Sequence, residues 1–143
     1  MSAAASQHPM SLAREYALQF LYQCETERVF YFSEAHFERF SANFELSPTS
    51  ASSTRRLVEG ALGMLDSIDE LIRSVSQNWS LERMAATDRS VLRVACYELM
   101  KEETPPKVVL NEAIELAKKF GTEQSGAFVN GLLNKIASQV NRR

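Results

Sequence analysis

The side chains that could carry chemistry in this sequence are few and scattered. Cys24 and Cys96 lie among apolar neighbours in helical patterns, YQCE and VACYEL, where a reduced cysteine packs as a small hydrophobic side chain. The histidines, His8 and His36, lie near the amino terminus and just after Ser33. No usual zinc-ligand spacing can be assembled from these four residues. We therefore expect no metal site, and we interpret the cysteines as structural rather than as a disulfide or a redox pair.

The sequence also lacks the motifs on which the common enzyme classes depend. It contains no GxSxG element, glycine-rich phosphate loop, HExxH or CxxC. Two carboxylates can share acid and base roles only when they face one space. Glu102 and Glu103 are adjacent and point to different sides of a helix, whereas Glu112 and Glu115 share a face that is typical of a solvated helix surface. We therefore predict that the protein is not an enzyme.

Length and composition describe a chain that can fold on its own. It has 143 residues, of which 45 % are hydrophobic, and a core of that size does not need disulfides or metals. No segment approaches the roughly 18 unbroken apolar residues of a membrane span. The initial stretch MSAAASQHPM has neither a basic start nor an apolar centre, so it does not resemble a signal peptide. We expect a short disordered lead over residues 1–10 and a cytoplasmic location.

The distribution of charge is more informative than the net charge of -2. Residues 1–78 carry six basic and ten acidic side chains, a balance of -4, and residues 79–143 carry ten basic and eight acidic ones, a balance of +2. A surface that faces phosphates would therefore draw mainly on the second half, with single arginines from the first.

Helical periodicity runs through the first half of the chain. Apolar residues over 12–24 follow steps of four and one, which is the pattern of a helix with a broad buried stripe. Ser33 is a good N-cap for a second helix. The stretch 46–54 is rich in Ser, Thr and Pro and predicts a loop. After it, apolar steps of four and three continue over 57–75 and predict one long helix with a parallel or antiparallel partner.

The second half predicts a short helical turn from Ser80 and three longer helices. Thr104 precedes two prolines and is expected to cap the second of the longer helices. Gly121 is expected to end that helix in a left-handed conformation, and Thr122 to cap the last one. The first of the three helices is expected to carry four charged residues largely outward, namely Asp88, Arg89, Arg93 and Lys101. With no strand-like alternation longer than a few residues, the chain predicts an all-α fold of about seven helices.

Three blocks of the second half resemble the signature stretches of the NusB family. DRSVLR, PPKVVLNEAIELAKKFG and FVNGLLNKI occur in the family's order and at its spacing. Upstream, NWSLERM, LVEGALGMLDSIDELI and AREYALQFLYQ also resemble it, and the match is weak only between residues 25 and 53. The resemblance thus covers most of the chain, and three blocks in register are far more specific than any one of them.

The resemblance implies both a fold and a role. The fold would be two small helical bundles packed as one compact unit, which we place at 11–78 and 79–143. NusB-like proteins pair with NusE, a small-subunit ribosomal protein, and the pair binds the single-stranded boxA element of nascent RNA. The assembly helps RNA polymerase to resist termination, notably on ribosomal RNA operons, and involves no cofactor. The family includes monomers and homodimers, so self-association stays open.

Position by position, the resemblance also implies which residues make contact. Single-stranded RNA is held by cations along its phosphates and by planar groups on which its bases stack. The candidates for RNA contact are Arg14, Arg89, Lys107, Gln124 and Phe128. The candidates for contact with the protein partner are Tyr22, Glu82 and Asp88. Six of them have a plainer alternative: Phe128 and Tyr22 as core residues, Arg14, Lys107 and Gln124 as solvated surface residues, and Asp88 as a support for the start of its helix.

One departure from the family weakens the RNA interpretation. The family usually carries an arginine-rich run directly before its ARE block, where this chain has HPMSL, so that Arg14 stands alone. Each phosphate contact adds to affinity and to its salt dependence. Either other cations compensate (Arg89, Arg93, Lys118 and Lys119), or RNA binding depends more on the partner, or the chain is a helical protein-interaction module without RNA contact. A more distant alternative is a subunit of an RNA-modifying enzyme, since NusB-like domains also occur fused to ribosomal RNA methyltransferases.

Overall fold

A computed structural model describes residues 8–77 and 80–140 of the chain. Within these residues the regular structure is helical, which confirms the predicted all-α fold of about seven helices. The elements are α1 (Pro9–Glu27), α2 (Glu34–Asn43), α3 (Pro48–Gly63), α4 (Leu65–Val75), a single 3-10 turn (Leu81–Arg83), α5 (Ala86–Lys101), α6 (Pro106–Phe120) and α7 (Ser125–Val140). None of the helices in the described part of the chain has the length and apolar content required to cross a membrane.

The chain divides into two compact units, Met1–Gly63 and Met64–Arg143. The first unit contains α1 to α3, and α1 packs along α3. In the second unit α4 contacts α5 and α7. Helix α6 also contacts α5 and α7, which precede and follow it in the chain. The sequence suggested a boundary between residues 78 and 79, but the division lies at the start of α4. The reason is that α5 and α7, in the second unit, cover the apolar face of α4.

Helix α1 begins earlier than the periodicity indicated. His8 is its N-cap, with Nδ1 accepting a hydrogen bond of 3.1 Å from the backbone N–H of Met10, and Pro9 occupies the first turn, where its missing N–H costs nothing. The prediction of a disordered lead is therefore wrong for residues 9 and 10, while residues 1–7 lie outside the described part. The helix ends at Glu27, and the left-handed backbone of the C-cap Arg28 (φ 58°) lets the N–H of Val29 donate a hydrogen bond of 3.0 Å to the Cys24 carbonyl.

Aromatic packing forms the centre of the first unit. Ser33 caps α2 as predicted, its Oγ accepting a hydrogen bond of 3.3 Å from the His36 N–H. Phe20, on α1, is fully buried, and the His36 ring stacks on it with centroids 4.3 Å apart. Phe37 and Phe40 meet the same ring edge-on at 5.6 and 5.2 Å. Aromatic pairs in these geometries stabilise the fold by more than the burial of their apolar area alone.

Two sequence expectations about α3 and α4 are wrong. The stretch 46–54 is not a loop throughout, because α3 already begins at Pro48. Ser47 accepts a hydrogen bond of 3.1 Å from the Ser50 N–H, so serine and proline here start a helix instead of a turn. The apolar pattern over 57–75 is also not one helix, since α3 ends at Gly63 and Met64 leaves the helical conformation (φ -118°, ψ 22°) before α4.

Helix α5 is the most deeply buried element of the second unit. Leu92 and Cys96 have no exposed surface, and both cysteines of the chain are buried and free, which confirms their structural interpretation. Burial raises the pKa of the Cys96 thiol, and the nearby Asp69 carboxylate raises it further. Arg93 does not point outward as predicted. Its Nε and Nη2 each donate a hydrogen bond of 2.9 Å to the carboxylate of Asp69 on α4, and the two side chains are only 8 % and 12 % exposed.

Helix α6 begins as the two prolines require but is not capped by threonine. Pro105 occupies the N-cap position and Pro106 the first turn. Thr104 is directed instead toward the end of α5, where its Oγ1 donates a hydrogen bond of 3.3 Å to Oε2 of the buried Glu98. Thr104 bonds there because a hydrogen bond to a carboxylate is stronger than one between a hydroxyl and a backbone N–H at the helix start.

The end of α6 needs glycine for space and not for a left-handed backbone. Gly121 has φ -106° and ψ -147°, so the predicted left-handed conformation is wrong. A Cβ at this position would meet Ser125 Oγ and lie 2.7 Å from the Ala117 carbonyl oxygen. The absence of a side chain therefore lets the chain fold back closely from α6 to α7.

Candidate RNA and protein interface

A small cavity in the second unit brings three of the predicted residues together. Its volume is about 220 Å³, and it lies where the 3-10 turn, the start of α5 and the start of α7 meet. Asp88, Gln124 and Phe128 were predicted as contact residues from the sequence. The full lining of the cavity is Arg83, Met84, Ala85, Asp88, Thr122, Gln124, Ser125 and Phe128. One partner candidate and two RNA candidates therefore share one site.

Asp88 gives this cavity an unusual acceptor. The residue is only 9 % exposed, and its Oδ1 is buried without a hydrogen-bond partner among residues 8–77 and 80–140. The first turn of α5 favours a carboxylate through its free N–H groups and dipole. A buried acceptor without a donor nevertheless costs about 1–3 kcal/mol. A donor that enters the cavity and reaches this oxygen would remove that cost.

Gln124 and Phe128 are one helical turn apart at the start of α7. The Phe128 N–H donates a hydrogen bond of 3.0 Å to the Gln124 carbonyl, so the two side chains are held on one side of the helix. Gln124 is exposed, and Phe128 is half-buried. Phe128 therefore belongs partly to the core and partly to the cavity. The turn before them is held by Ser125, whose Oγ accepts a hydrogen bond of 2.9 Å from the Thr122 N–H.

Arg89 has a structural task beside the cavity. Its Nη1 donates hydrogen bonds of 2.7 Å to the carbonyl oxygens of both Leu81 and Met84, which ties the 3-10 turn to α5. The side chain is half-buried, so the prediction that it points largely outward is wrong. This role could not be predicted, because any residue can supply a backbone carbonyl as the acceptor.

The remaining RNA candidates differ in exposure. Lys107 is exposed in the first turn of α6. Arg14 lies on α1 in the first unit, where it is only 5 % exposed and already has an interaction partner within the protein. Lys107 is therefore accessible to a ligand, whereas Arg14 offers a ligand little surface.

The remaining partner candidates are both exposed. Tyr22 is 46 % exposed on α1 of the first unit. In the second unit, Glu82 on the 3-10 turn pairs with Arg73 at 3.0 Å, and both side chains are largely exposed. A hydrogen bond from its own backbone, followed by the Arg73 bond, holds the pKa of the Glu82 carboxyl below its usual range. Glu82 therefore stays a carboxylate near neutral pH.

The cations that could support Arg14 in RNA contact differ in exposure. Arg93 is used in the buried pair with Asp69 and cannot reach RNA. Lys118 and Lys119 are exposed at the end of α6. The cavity adds a cation that the sequence analysis did not single out, since Arg83 is exposed and belongs to the lining. The sequence signal that could have pointed to Arg83 is its position directly after the predicted Glu82.

Comparison with known proteins gives one consistent result. The model of the NusB family matches residues 11–138. The transcription antitermination protein NusB of Anaeromyxobacter dehalogenans (strain 2CP-1) is 47 % identical over 129 residues, which is 88 % of each chain. The protein of the same name from Desulfitobacterium hafniense (strain DCB-2) is 40 % identical over 133 residues, covering 92 % of this chain and 90 % of the other.

Solved structures agree with these relatives. NusB of T. maritima superimposes with a TM-score of 0.83 at 35 % identity and 95 % coverage of both chains. A chain from a crystal structure of the antitermination factors NusB and NusE in complex with double-stranded RNA has the same fold, with a TM-score of 0.81 at 24 % identity and coverage of 92 % and 97 %. With its signature blocks, its helical architecture and a match over nearly its whole length, the chain belongs to the NusB family.

Proposed function

We propose that this chain is a transcription antitermination factor that binds boxA-like single-stranded RNA together with a NusE-type small-subunit ribosomal protein. The observation that carries the proposal is the cavity in which Asp88, Gln124 and Phe128 converge in a member of the NusB family. A NusB of the same fold has been solved with both NusE and RNA. The assembly would act with RNA polymerase on nascent RNA in the cytoplasm, by binding rather than by catalysis.

The cavity supplies the two kinds of group that single-stranded RNA needs. The ring of Phe128 offers a surface for stacking, and the amide of Gln124 offers a donor and an acceptor for a base edge. Lys107, exposed on α6, supplies a phosphate contact. Stacking and polar contacts act only at short range, and this chain supplies few of them. The RNA affinity therefore depends on the further contacts that a second protein adds.

The protein partner is recognised by carboxylates. The Asp88 carboxylate, one oxygen of which has no donor within the described residues, accepts an N–H from the partner. Glu82, exposed and ionised, adds a second acceptor on the 3-10 turn. Tyr22 on α1 offers a half-exposed aromatic ring and hydroxyl.

A binding experiment tests the whole proposal. A labelled boxA-like RNA is titrated with the chain, with the purified NusE-type protein, and with both, while fluorescence anisotropy is recorded at low salt. We expect the two proteins together to bind far more tightly than either alone, and to prefer the boxA-like strand over a scrambled strand and over a duplex. If adding the partner does not strengthen RNA binding, the proposal is wrong.

Substitution at Phe128 tests the stacking contact. Phe128→Leu keeps apolar volume in the half-buried position but removes the aromatic face. Loss of one stacked base costs about 1–3 kcal/mol, which is roughly a 5- to 150-fold loss of RNA affinity. Phe120→Leu is the matched control, since Phe120 is an exposed aromatic outside the cavity. Equal affinities of the two variants would contradict the role of Phe128.

Substitution at Asp88 tests the partner contact. Asp88→Asn keeps the size of the side chain but removes its charge, so we expect weaker binding of the NusE-type protein in calorimetry. Asp66→Asn, on the exposed start of α4, is the control. Unchanged affinity of Asp88→Asn would place the partner elsewhere.

A second candidate function is a protein-interaction module without RNA contact. The observation that favours it is the use of three arginines inside the fold: Arg93 in the pair with Asp69, Arg89 on two carbonyls, and Arg14 in a buried position. In that case the wild-type chain would retain no RNA even with its partner, and Lys107→Glu would leave the affinity for the partner intact. Arg89→Glu is a poor test, because it breaks the bonds to the 3-10 turn.

A further inference from the structure

The stretch before Ala13 and Arg14, HPMSL, carries no arginine or lysine, and the structure shows where other cations lie. Of the four that the sequence offered as compensation, Arg93 is buried in an ion pair and Arg89 holds two carbonyls. Lys119 lies over the ring of Phe120, with Nζ 5.5 Å from the centroid. Lys118 is the fourth of these cations and is exposed. Arg83 is a further exposed cation, and it belongs to the cavity lining.

Lys118 is held close to the cavity by a glycine on the next helix. A Cβ built on Gly126 would lie 3.2 Å from Cγ and 3.4 Å from Cε of Lys118. The aliphatic part of Lys118 therefore rests on the backbone of the first turn of α7, directly after Ser125, which lines the cavity. A side chain placed in this way loses less conformational freedom on binding than an unrestrained surface lysine.

The charge of Lys118 is not consumed by its neighbours. It pairs with Glu115, with Nζ 4.0 Å from Oε2, and the two side chains are 62 % and 75 % exposed. Exposed pairs at this distance contribute little and are easily exchanged for another anion.

The two signs of charge in the cavity indicate where a phosphate would lie. Asp88 lines the cavity and is only 9 % exposed, and its carboxylate repels a phosphate that comes close to it. Arg83 is exposed, so its guanidinium is at the outer part. A base can enter beside Phe128 and Gln124 while its phosphates stay outside, next to the cations.

We infer that Arg83 and Lys118 contact the phosphates of the RNA strand bound at the cavity, and that they supply charge that the stretch before Arg14 does not. Gly126 is a positioning residue, because it gives the Lys118 side chain its place. This inference rests on the proposed function, since it assumes that RNA binds at the cavity.

The salt dependence of RNA affinity tests the two contacts directly. Arg83→Gln and Lys118→Met each remove one charge and keep most of the side chain. For single-stranded nucleic acid, each lost phosphate contact lowers the slope of log affinity against log salt by about 0.7. Between 50 and 200 mM salt, each variant should therefore lose roughly threefold less affinity than wild type does. Lys135→Met, exposed further along α7, is the control and should keep the wild-type slope.

Gly126→Ala tests the positioning role. The added methyl group should displace the Lys118 side chain and flatten the salt dependence in the same direction as Lys118→Met. In a Lys118→Ala background the same change should have no further effect on the slope. Affinity for the NusE-type protein and the free energy of unfolding are measured alongside, because a general loss of structure would change both and a lost phosphate contact neither.

The outcomes separate this inference from the function on which it rests. If wild type with its partner binds the boxA-like RNA and the slopes of Arg83→Gln and Lys118→Met equal the wild-type slope, the inference is overturned and the function stands. If wild type shows no partner-dependent RNA binding, both are overturned. A lower slope in the two variants, with Lys135→Met unchanged, supports the inference.

Discussion

The buried pair between Asp69 on α4 and Arg93 on α5 allows a quantitative prediction about the second unit. Asp69→Ala removes the carboxylate and leaves the guanidinium, whose side chain is 8 % exposed, without the acceptor of its two bonds of 2.9 Å. Hydrogen bonds to charged groups contribute about 1.5–3 kcal/mol each, and breaking a buried pair by removing one partner costs about 3–5 kcal/mol. We expect the free energy of unfolding to fall by about that amount.

Urea unfolding followed by circular dichroism measures this change. Against a total stability of about 5–15 kcal/mol, the loss should lower the midpoint clearly, and the melting temperature by roughly 10 °C or more. Asp66→Ala on the same helix is the control: Asp66 is exposed in the first turn, so only its interaction with the helix dipole is lost, about 0.3–1 kcal/mol.

A double variant distinguishes a stabilising pair from a buried charge that merely needs a partner. Asp69→Leu with Arg93→Met replaces both ions by apolar side chains of similar volume, and such replacements are often neutral or stabilising. We expect it to recover most of the stability lost in Asp69→Ala. The reasoning is refuted if Asp69→Ala costs no more than Asp66→Ala.

Three further predictions concern buried polar groups. His36 Nδ1 is buried without a partner in the described part of the chain, and burial lowers the pKa of this histidine below 6.5, so the unfolded chain binds the proton more readily. The free energy of unfolding should therefore be highest above pH 6.5 and fall as the pH drops below it, whereas His36→Gln, measured by the same urea titrations, should flatten the curve over that range. Thr54 is fully buried, and its Oγ1 has no partner among the described residues, so Thr54→Val should raise the free energy of unfolding by about 1 kcal/mol; a loss in urea unfolding would contradict this. Cys24 and Cys96 are 1 % and 0 % exposed, so a thiol reagent at pH 8 should react only as fast as the protein unfolds; rapid labelling of the native protein would show that the cysteines are accessible.

The helices were predictable because their signals are local. The apolar stripe of α1, the N-cap Ser33 and the prolines before α6 each lie within a few residues of the structure they determine. Where the prediction was wrong, the local signal had two meanings. Ser47 and Pro48 are typical of loops and also of helix starts, and burial of Thr54 supports the helix. The apolar steps over 57–75 continue in register across Met64, although the backbone does not.

The cavity was predictable only in part, since partners distant in sequence cannot be derived from spacing. Family resemblance placed Asp88, Gln124 and Phe128 among the contact residues, and the structure brings them to one cavity. It could not show that Arg93 has an acceptor 24 residues earlier. A charged residue on a helix is usually solvated, so an outward direction was the sound expectation for it.

The unsatisfied oxygen of Asp88 has a consequence for protein engineering. A designer who wished to make the isolated protein sturdier would replace this acid by a small apolar residue and remove a desolvated acceptor. The same change would remove the carboxylate that we propose as an acceptor for the protein partner. At this position the stability of the isolated protein and the binding of its partner are opposed. A stabilised variant should therefore be screened for partner binding before it is used.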